Sequence, residues 1–94
     1  MLFHVRMQVN IPDSISTERA DLLKSNEKAL ALKLQQSGKW RHLWRVVGQY
    51  ANISVFDVES NDELHQLLST LPLYPFMQIE VTPLAQHPSA LATN

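Results

Sequence analysis

Residues 39–58 read KWRHLWRVVGQYANISVFDV, and this stretch decides the fold. Two runs rich in aromatic and β-branched residues, 39–47 and 51–58, flank the short segment Gly48-Gln49-Tyr50. Such residues favour strands, and a short segment containing glycine between two such runs is typical of a hairpin turn. The stretch therefore predicts two neighbouring antiparallel strands.

The segment before this hairpin predicts a strand and then a long helix. Apolar and polar residues alternate over 2–9, which is the period of a strand with one buried face. A helical pattern begins near Ser14 or Ser16, either of which can cap its first turn. It continues to about Gln36, and Gly38 follows as a stop signal.

The segment after the hairpin predicts a second helix and a last strand. Residues 60–63, Ser-Asn-Asp-Glu, form a capping box, and Pro72 ends the helical pattern. One stripe of this helix is apolar and consists of Leu64, Leu67, Leu68 and Leu71. The last strand is expected from about Phe76 to Thr82.

The order β-α-β-β-α-β predicts an α+β fold, a ferredoxin-like βαββαβ sandwich in which two helices cover one face of a four-stranded antiparallel sheet. On the second strand apolar residues fall on both faces, with Trp40, Trp44 and Val46 on one and Leu43 and Val47 on the other. We therefore expect a second subunit to bury the bare face, giving a sheet-to-sheet dimer of the dimeric α+β barrel type.

Composition excludes several classes of function. Because the chain has no cysteine, it has no disulfides or thiolate nucleophiles. A net charge of −1 gives no electrostatic footprint for nucleic acid, and two glycines leave no phosphate-binding loop for a nucleotide cofactor. The histidines at 4, 42, 65 and 87 lack metal-binding spacing, so no metal site is predicted.

The chain is expected to form one domain over residues 1–83, with a carboxyl-terminal tail over 84–94 that packs on a neighbouring subunit. The first residues enter the strand pattern at once, without the features of an export signal. No apolar run approaches the roughly 20 residues that span a bilayer. We expect a cytoplasmic protein that does not enter a membrane.

Glu27 is the most informative candidate for chemistry. At about 100° per residue, it shares a sector of the first helix with Ala20, Leu23, Leu30, Ala31 and Leu34. A buried carboxylate must be paired, protonated or part of a cavity wall. It is either in a buried salt bridge to Lys24 or a basic residue of the sheet, or a cavity-lining general base whose pKa is raised.

The WRHLWR segment of the second strand carries the other cluster. On a regular strand Trp40, His42 and Trp44 share one face, and Arg41 and Arg45 share the opposite one. Arginine beside aromatic walls is suited to binding a substrate carboxylate. The alternative is that the tryptophans only pack and the arginines form surface ion pairs.

Four further polar residues are weaker candidates. His4 and Arg6 lie on the less apolar face of the first strand, where a structural histidine is the ordinary interpretation. Asn52 could donate a hydrogen bond to a substrate carbonyl, and Tyr50 could do the same. Turn geometry and packing are the alternatives for these two residues.

Several segments together resemble the muconolactone delta-isomerase family. They are MLFHVRM at 1–7, NEK at 26–28, WRHLWR at 40–45, YAN at 50–52, SVFDV at 54–58 and LPL at 71–73. The resemblance extends over nearly the full length. Because the βαββαβ order alone is shared by many functions, these segments carry the assignment.

The resemblance implies a cofactor-free isomerase of the β-ketoadipate pathway, which degrades catechol and other aromatics. Such an enzyme converts muconolactone to 3-oxoadipate enol-lactone and forms sheet-to-sheet dimers that assemble into a homodecamer. We hypothesise that Glu27 moves the proton and that Lys24 or His4 donates to the developing oxyanion. Arg41 or Arg45 would then hold the acetate group of the substrate.

Two other functions stay open on the sequence. The chain could be a different enzyme on the same dimeric scaffold, such as a cofactor-independent monooxygenase or a methylmuconolactone methylisomerase. It could also be a ligand-binding or regulatory module without catalysis. The first would turn over another substrate, and the second would bind a ligand without turnover.

Overall fold

A computed structural model describes residues 1–91 as four strands, two helices and one 3-10 turn. The elements are β1 (Leu2–Val9), α1 (Thr17–Gln36), β2 (Trp40–Arg45), β3 (Ala51–Asp57), α2 (Asn61–Ser69), the turn Tyr74–Phe76 and β4 (Met77–Leu84). Residues 92–94 of the expected tail lie outside the described residues. Within residues 1–91, neither helix is long and apolar enough to cross a membrane.

The strands form one sheet in the order β2-β3-β1-β4, and every neighbouring pair is antiparallel. This order and the βαββαβ succession confirm the predicted α+β sandwich with a four-stranded sheet and two helices. β4 pairs only with β1 and extends to Leu84, beyond the predicted end at Thr82. An edge position tolerates Pro83, since its missing N–H leaves no neighbouring strand unpaired.

The helix ends follow the predicted signals. Of the two candidate caps for α1, Ser16 is the one used, and its hydroxyl accepts from the backbone N–H of Arg19 at 3.2 Å. Gly38 has φ of +85°, the left-handed conformation that glycine adopts readily beyond a helix end. The hydroxyl of Ser60 caps α2 by accepting from the backbone N–H of Glu63 at 3.1 Å.

The core lies between the two helices and one face of the sheet. β1 contributes Phe3, Val5 and Met7, all at most 1% exposed, and β3 contributes Phe56. The helices cover them with apolar side chains, which include Ala31, Leu34, Leu64 and Leu68. This packing fixes α1 across the sheet and so fixes the direction in which its polar residues point.

A β-bulge at Arg41 interrupts the pairing of β2 with β3. Trp40 pairs with Phe56 and His42 pairs with Val55, so Arg41 is the extra residue on its strand. A bulge opposes two residues to one and shifts the alternation of side chains beyond it by one position.

The bulge makes the prediction of a regular WRHLWR strand wrong. Paired residues share a face of a sheet, and the register puts Trp40, Leu43 and Arg45 on the face covered by the helices. His42 and Trp44 lie on the opposite face, which we call the open face. The two tryptophans are therefore on different faces, and so are Trp40 and His42.

The turn between β2 and β3 is longer than predicted. β2 ends at Arg45, and Val46 and Val47 belong to the turn, where Val47 is 94% exposed. The expectation that both valines continue the strand is wrong. The two valines therefore do not belong to the apolar strand pattern from which a buried open face was predicted. Gly48 allows the reversal with φ of +79°.

Candidate active site

A cavity of about 510 Å³ lies between α1 and the face of the sheet that the helices cover. One wall comes from α1, the facing wall from β2, β3 and their turn, and one end from the segment before β4. Its charged and amide-bearing lining residues are Lys24, Glu27, Lys28, Gln35, Arg45 and Asn52. Glu27 therefore lines a cavity, which is one of the two alternatives that its place on the helix left open.

Glu27 is held inside this cavity by a single backbone contact. Its Oε1 accepts from the backbone N–H of Leu73 at 2.9 Å. Burial raises the pKa of the Glu27 carboxyl, and the hydrogen bond from Leu73 opposes part of that rise. The ion pairs among residues 1–91 do not include Glu27, so its interpretation as a buried salt bridge to Lys24 is wrong.

Two cations share one aromatic ring at the cavity. The Nζ of Lys24 lies 5.8 Å from the centre of the Tyr50 ring, and the Cζ of Arg45 lies 5.3 Å from it. Such cation–π contacts contribute about 0.5–1 kcal/mol at exposed sites. In the described part of the chain neither cation has a carboxylate partner. The pair can therefore accept an anionic ligand.

Asn52 lies on β3 between the core and the cavity. Its Oδ1 accepts from the hydroxyl of Ser54 at 2.7 Å, and Ser54 is completely buried. The two residues are neighbours on the same face of the strand. The amide therefore has a fixed partner on the core side, while Asn52 itself lines the cavity.

Trp40 closes the inner end of the cavity. It is 2% exposed, and its ring packs on Phe56 with 4.8 Å between centroids. Its Nε1 is enclosed by protein and lacks a hydrogen-bond partner among residues 1–91. The indole ring thus contributes an apolar part of the cavity wall.

Comparison with known proteins identifies the family. The family model for muconolactone delta-isomerase matches residues 1–90. The chain belongs to the muconolactone delta-isomerase family. It is 63% identical over 91 residues to muconolactone delta-isomerase 1 of Acinetobacter lwoffii, a match that covers 97% of this chain and 95% of that protein. Identity to the muconolactone delta-isomerase of Cupriavidus pinatubonensis is 59%, with 97% and 99% covered.

A solved member of the muconolactone delta-isomerase family has the same fold. The crystal structure of a muconolactone isomerase superimposes with a TM-score of 0.94 at 52% sequence identity, covering 100% of this chain and 98% of that chain. The resemblance found in the sequence is thereby confirmed, together with the α+β architecture.

Six of the residues predicted from the sequence come together at this cavity. They are Lys24, Glu27, Trp40, Arg45, Tyr50 and Asn52. They reach it from α1, β2, the following turn and β3. Segments far apart in the chain thus meet at one site.

The other four predicted residues lie elsewhere. His4, Arg6 and His42 face the open side of the sheet, where His42 stacks on Trp44 with 5.1 Å between centroids. Arg6 donates to the Oε1 of Gln49 at 2.7 Å. The fourth residue, Arg41, lies at the bulge. Its Nη1 is 3.7 Å from Oδ2 of Asp57.

Sequence reasoning missed three parts of the site. Lys28 and Gln35 line the cavity, and their spacing of four and eleven residues from Lys24 places them on the same side of α1. That spacing could have revealed them. The backbone N–H of Leu73 carries no such signal, because a main-chain donor depends on the path of the loop rather than on residue type.

Proposed function

We propose that this chain catalyses the conversion of muconolactone to 3-oxoadipate enol-lactone in the cavity between α1 and the sheet. Membership of the isomerase family supports the reaction. The observation that carries the site is Glu27, a half-buried carboxylate in the cavity wall with one backbone donor and no counter-ion among residues 1–91.

The reaction moves one proton and changes no oxidation state overall. In the α,β-unsaturated lactone, the C–H bond at the γ carbon breaks and its electron pair enters a dienolate, whose charge is spread onto the lactone carbonyl oxygen. A new C–H bond forms at the α carbon, and the double bond ends between the β and γ carbons. One group that accepts and returns the proton is enough.

Glu27 is the group that moves this proton. Since burial raises the pKa of its carboxyl, the carboxylate is a stronger base than one in water. The hydrogen bond from Leu73 occupies Oε1, which orients the carboxyl group. Oε2 is then the oxygen available to the substrate.

Arg45 and Lys24 bind the acetate group of the substrate. Both side chains lie against the Tyr50 ring beside the cavity, without a carboxylate partner in the described residues. Arg45 is favoured over Arg41 because the bulge turns Arg41 toward Asp57. Binding the carboxylate here places the ring of the lactone between the cations and Glu27.

The open face of the sheet binds a second copy of this chain. Its centre is apolar, with Ile53 and Val55 half-buried, and it carries Trp44, which is 55% exposed. Arg6 and Glu80 are opposite each other in the strand register on this face, so it carries both signs of charge, which suits a self-complementary two-fold contact. The homodecamer implied by the resemblance would need further surfaces, and the tail after Leu84 is one of them.

The test is turnover of muconolactone by the purified full-length protein, followed by the loss of ultraviolet absorbance as conjugation with the carbonyl is lost. Glu27→Gln keeps the shape and an acceptor for Leu73 but removes the base, so kcat should fall about 100- to 10,000-fold. Glu18→Gln, in the exposed first turn of the same helix, is the matched control.

Each alternative has its own outcome in this assay. Wild-type turnover by Glu27→Gln would reject Glu27 as the base. Saturable binding of muconolactone without turnover by the wild-type protein would favour a ligand-binding module. Turnover of only a methyl-substituted lactone would favour a related isomerase.

A further inference from the structure

We infer that Asn52 supplies the hydrogen bond that stabilises the dienolate oxygen, and that Ser54 is a positioning residue that turns the Asn52 amide nitrogen toward the substrate. The inference rests on the proposed isomerisation and assigns its oxyanion donor. It is drawn from the hydrogen bond between these two residues and from their places in the sheet.

Ser54 is a buried polar residue in an otherwise apolar layer. It is 0% exposed and pairs with Val5 on one side and Leu43 on the other. Burying a hydroxyl is unfavourable unless it is hydrogen-bonded. Its partner is the Oδ1 of Asn52 at 2.7 Å, so the buried hydroxyl serves to hold this amide.

The direction of this hydrogen bond fixes which end of the amide faces the cavity. Because Oδ1 is occupied by Ser54, the two N–H groups of Nδ2 point to the other side of the side chain. Nδ2 forms no hydrogen bond within residues 1–91, and Asn52 lines the cavity. In the flipped amide, the hydroxyl of Ser54 would accept instead and leave its own proton without this partner.

The other donors near the cavity are less suitable. The Nε1 of Trp40 lacks a partner but is enclosed by protein. The ammonium group of Lys24 lies over the Tyr50 ring, as does the guanidinium of Arg45, where both serve the substrate carboxylate. His4 faces the open side of the sheet. The amide nitrogen of Gln35 already donates to the carbonyl oxygen of Ala31. Asn52 is a neutral donor whose orientation is fixed by a hydrogen bond to its oxygen.

A donor of this kind acts on the rate rather than on binding. The full charge on the carbonyl oxygen exists only after the proton has left the γ carbon, so the hydrogen bond strengthens in the transition state. Loss of such a donor should lower kcat with little change in KM.

The first experiment changes the donor. Asn52→Ala should lower kcat about 100- to 1,000-fold. Asn52→Asp keeps an acceptor for Ser54 but replaces the donor with a negative oxygen, so kcat should fall at least as far. Urea denaturation of each variant checks that it is folded. A kcat within about twofold of wild type in either folded variant would overturn the assignment.

The second experiment tests whether Ser54 acts through Asn52. Ser54→Ala should lower kcat about three- to tenfold, the effect of one neutral hydrogen bond, with KM retained. In the Asn52→Ala background the same change should have no further effect on kcat. An equal loss in both backgrounds would mean a merely structural role and would overturn the positioning role.

Controls separate this inference from the proposed function. Ser69→Ala removes an exposed hydroxyl at the end of α2, remote from the cavity, and should leave kcat unchanged. If Glu27→Gln is inactive while Asn52→Ala is normal, only the oxyanion assignment fails. If Glu27→Gln has wild-type turnover, the proposed base fails. Should Ser54→Ala not fold, Asn52→Asp still decides the donor.

Discussion

The two faces of the sheet are made by the same strands but serve different purposes. The face under the helices buries Phe3, Val5 and Met7 and contributes Arg45 and Asn52 to the cavity. The open face carries polar and aromatic side chains, among them His4, Arg6, His42 and Trp44. Strand alternation assigns each residue to one face, so a single bulge can reassign several candidate residues at once.

The largest expected difference between the faces is in stability. Phe56→Ala removes a completely buried ring from the covered face and should lower the free energy of unfolding by about 3–5 kcal/mol. Thr82→Ala, an exposed residue of the open face, should change it by no more than about 0.5 kcal/mol. Urea denaturation at one fixed protein concentration measures both, and similar losses would contradict the assignment of the core.

The next difference is in catalysis and separates two arginines of one strand. Arg45→Met should lower kcat/KM about 10- to 150-fold, because a charge-assisted contact with the substrate carboxylate is lost. Arg41→Met should change kcat/KM less than about twofold, since Arg41 lies near Asp57. A larger loss of kcat/KM in Arg41→Met than in Arg45→Met would contradict the placement of Arg45 at the cavity and of Arg41 beside Asp57.

A smaller effect is expected for association through the open face. Trp44→Glu places a charge in the proposed contact between copies and should weaken dimerisation by more than about 1 kcal/mol. Gln66→Glu, at an exposed position of α2 on the other side of the sheet, is the control for added charge and should leave association unchanged. Sedimentation velocity over a concentration series measures the dissociation constant. Unchanged association of the Trp44 variant would exclude this face as the interface.

The smallest effect concerns the pH dependence of stability. Burial raises the pKa of Glu27 above its ordinary value of 4.5, so its contribution is fully present below that pH and is lost as pH rises through the raised pKa. Glu27→Gln has no such loss and should be the more stable form at neutral pH. The gain should stay under about 1 kcal/mol because solvent screens the half-exposed group.

Urea denaturation of wild type and Glu27→Gln at several pH values measures this gain. The two proteins should differ least in acid and most at neutral pH. Glu18→Gln, which removes an exposed carboxyl of the same helix, should not show the same trend. If the wild-type protein were more stable than Glu27→Gln at neutral pH, the direction of the pKa change would be contradicted.

The sequence predicted most of the fold because the decisive signals are local. The alternation over β1 and the cap at Ser16 are each read from a few neighbouring residues. Glu27 was found in the same way, since helical periodicity alone places it among apolar residues. Each of these features depends on spacing along one element.

The errors arose where the answer depends on contacts between elements. WRHLWR fits a regular strand, and only pairing with β3 reveals the bulge at Arg41. Likewise, residue type does not show that Leu73 approaches Glu27 or that Ser54 bonds to Asn52. Periodicity therefore placed Glu27 on the inner side of α1, but it did not predict the hydrogen bond that orients the carboxyl group or the separation of Arg41 from Arg45.

The contact that orients Glu27 comes from the main chain of Leu73. Every residue except proline has this N–H, so side-chain changes at position 73 can alter packing without removing the donor. The alignment of the carboxyl group is therefore protected against sequence drift at the position that supplies it. Side chains of the loop before β4 can therefore change without loss of this hydrogen bond to Glu27, provided that the path of the backbone is kept.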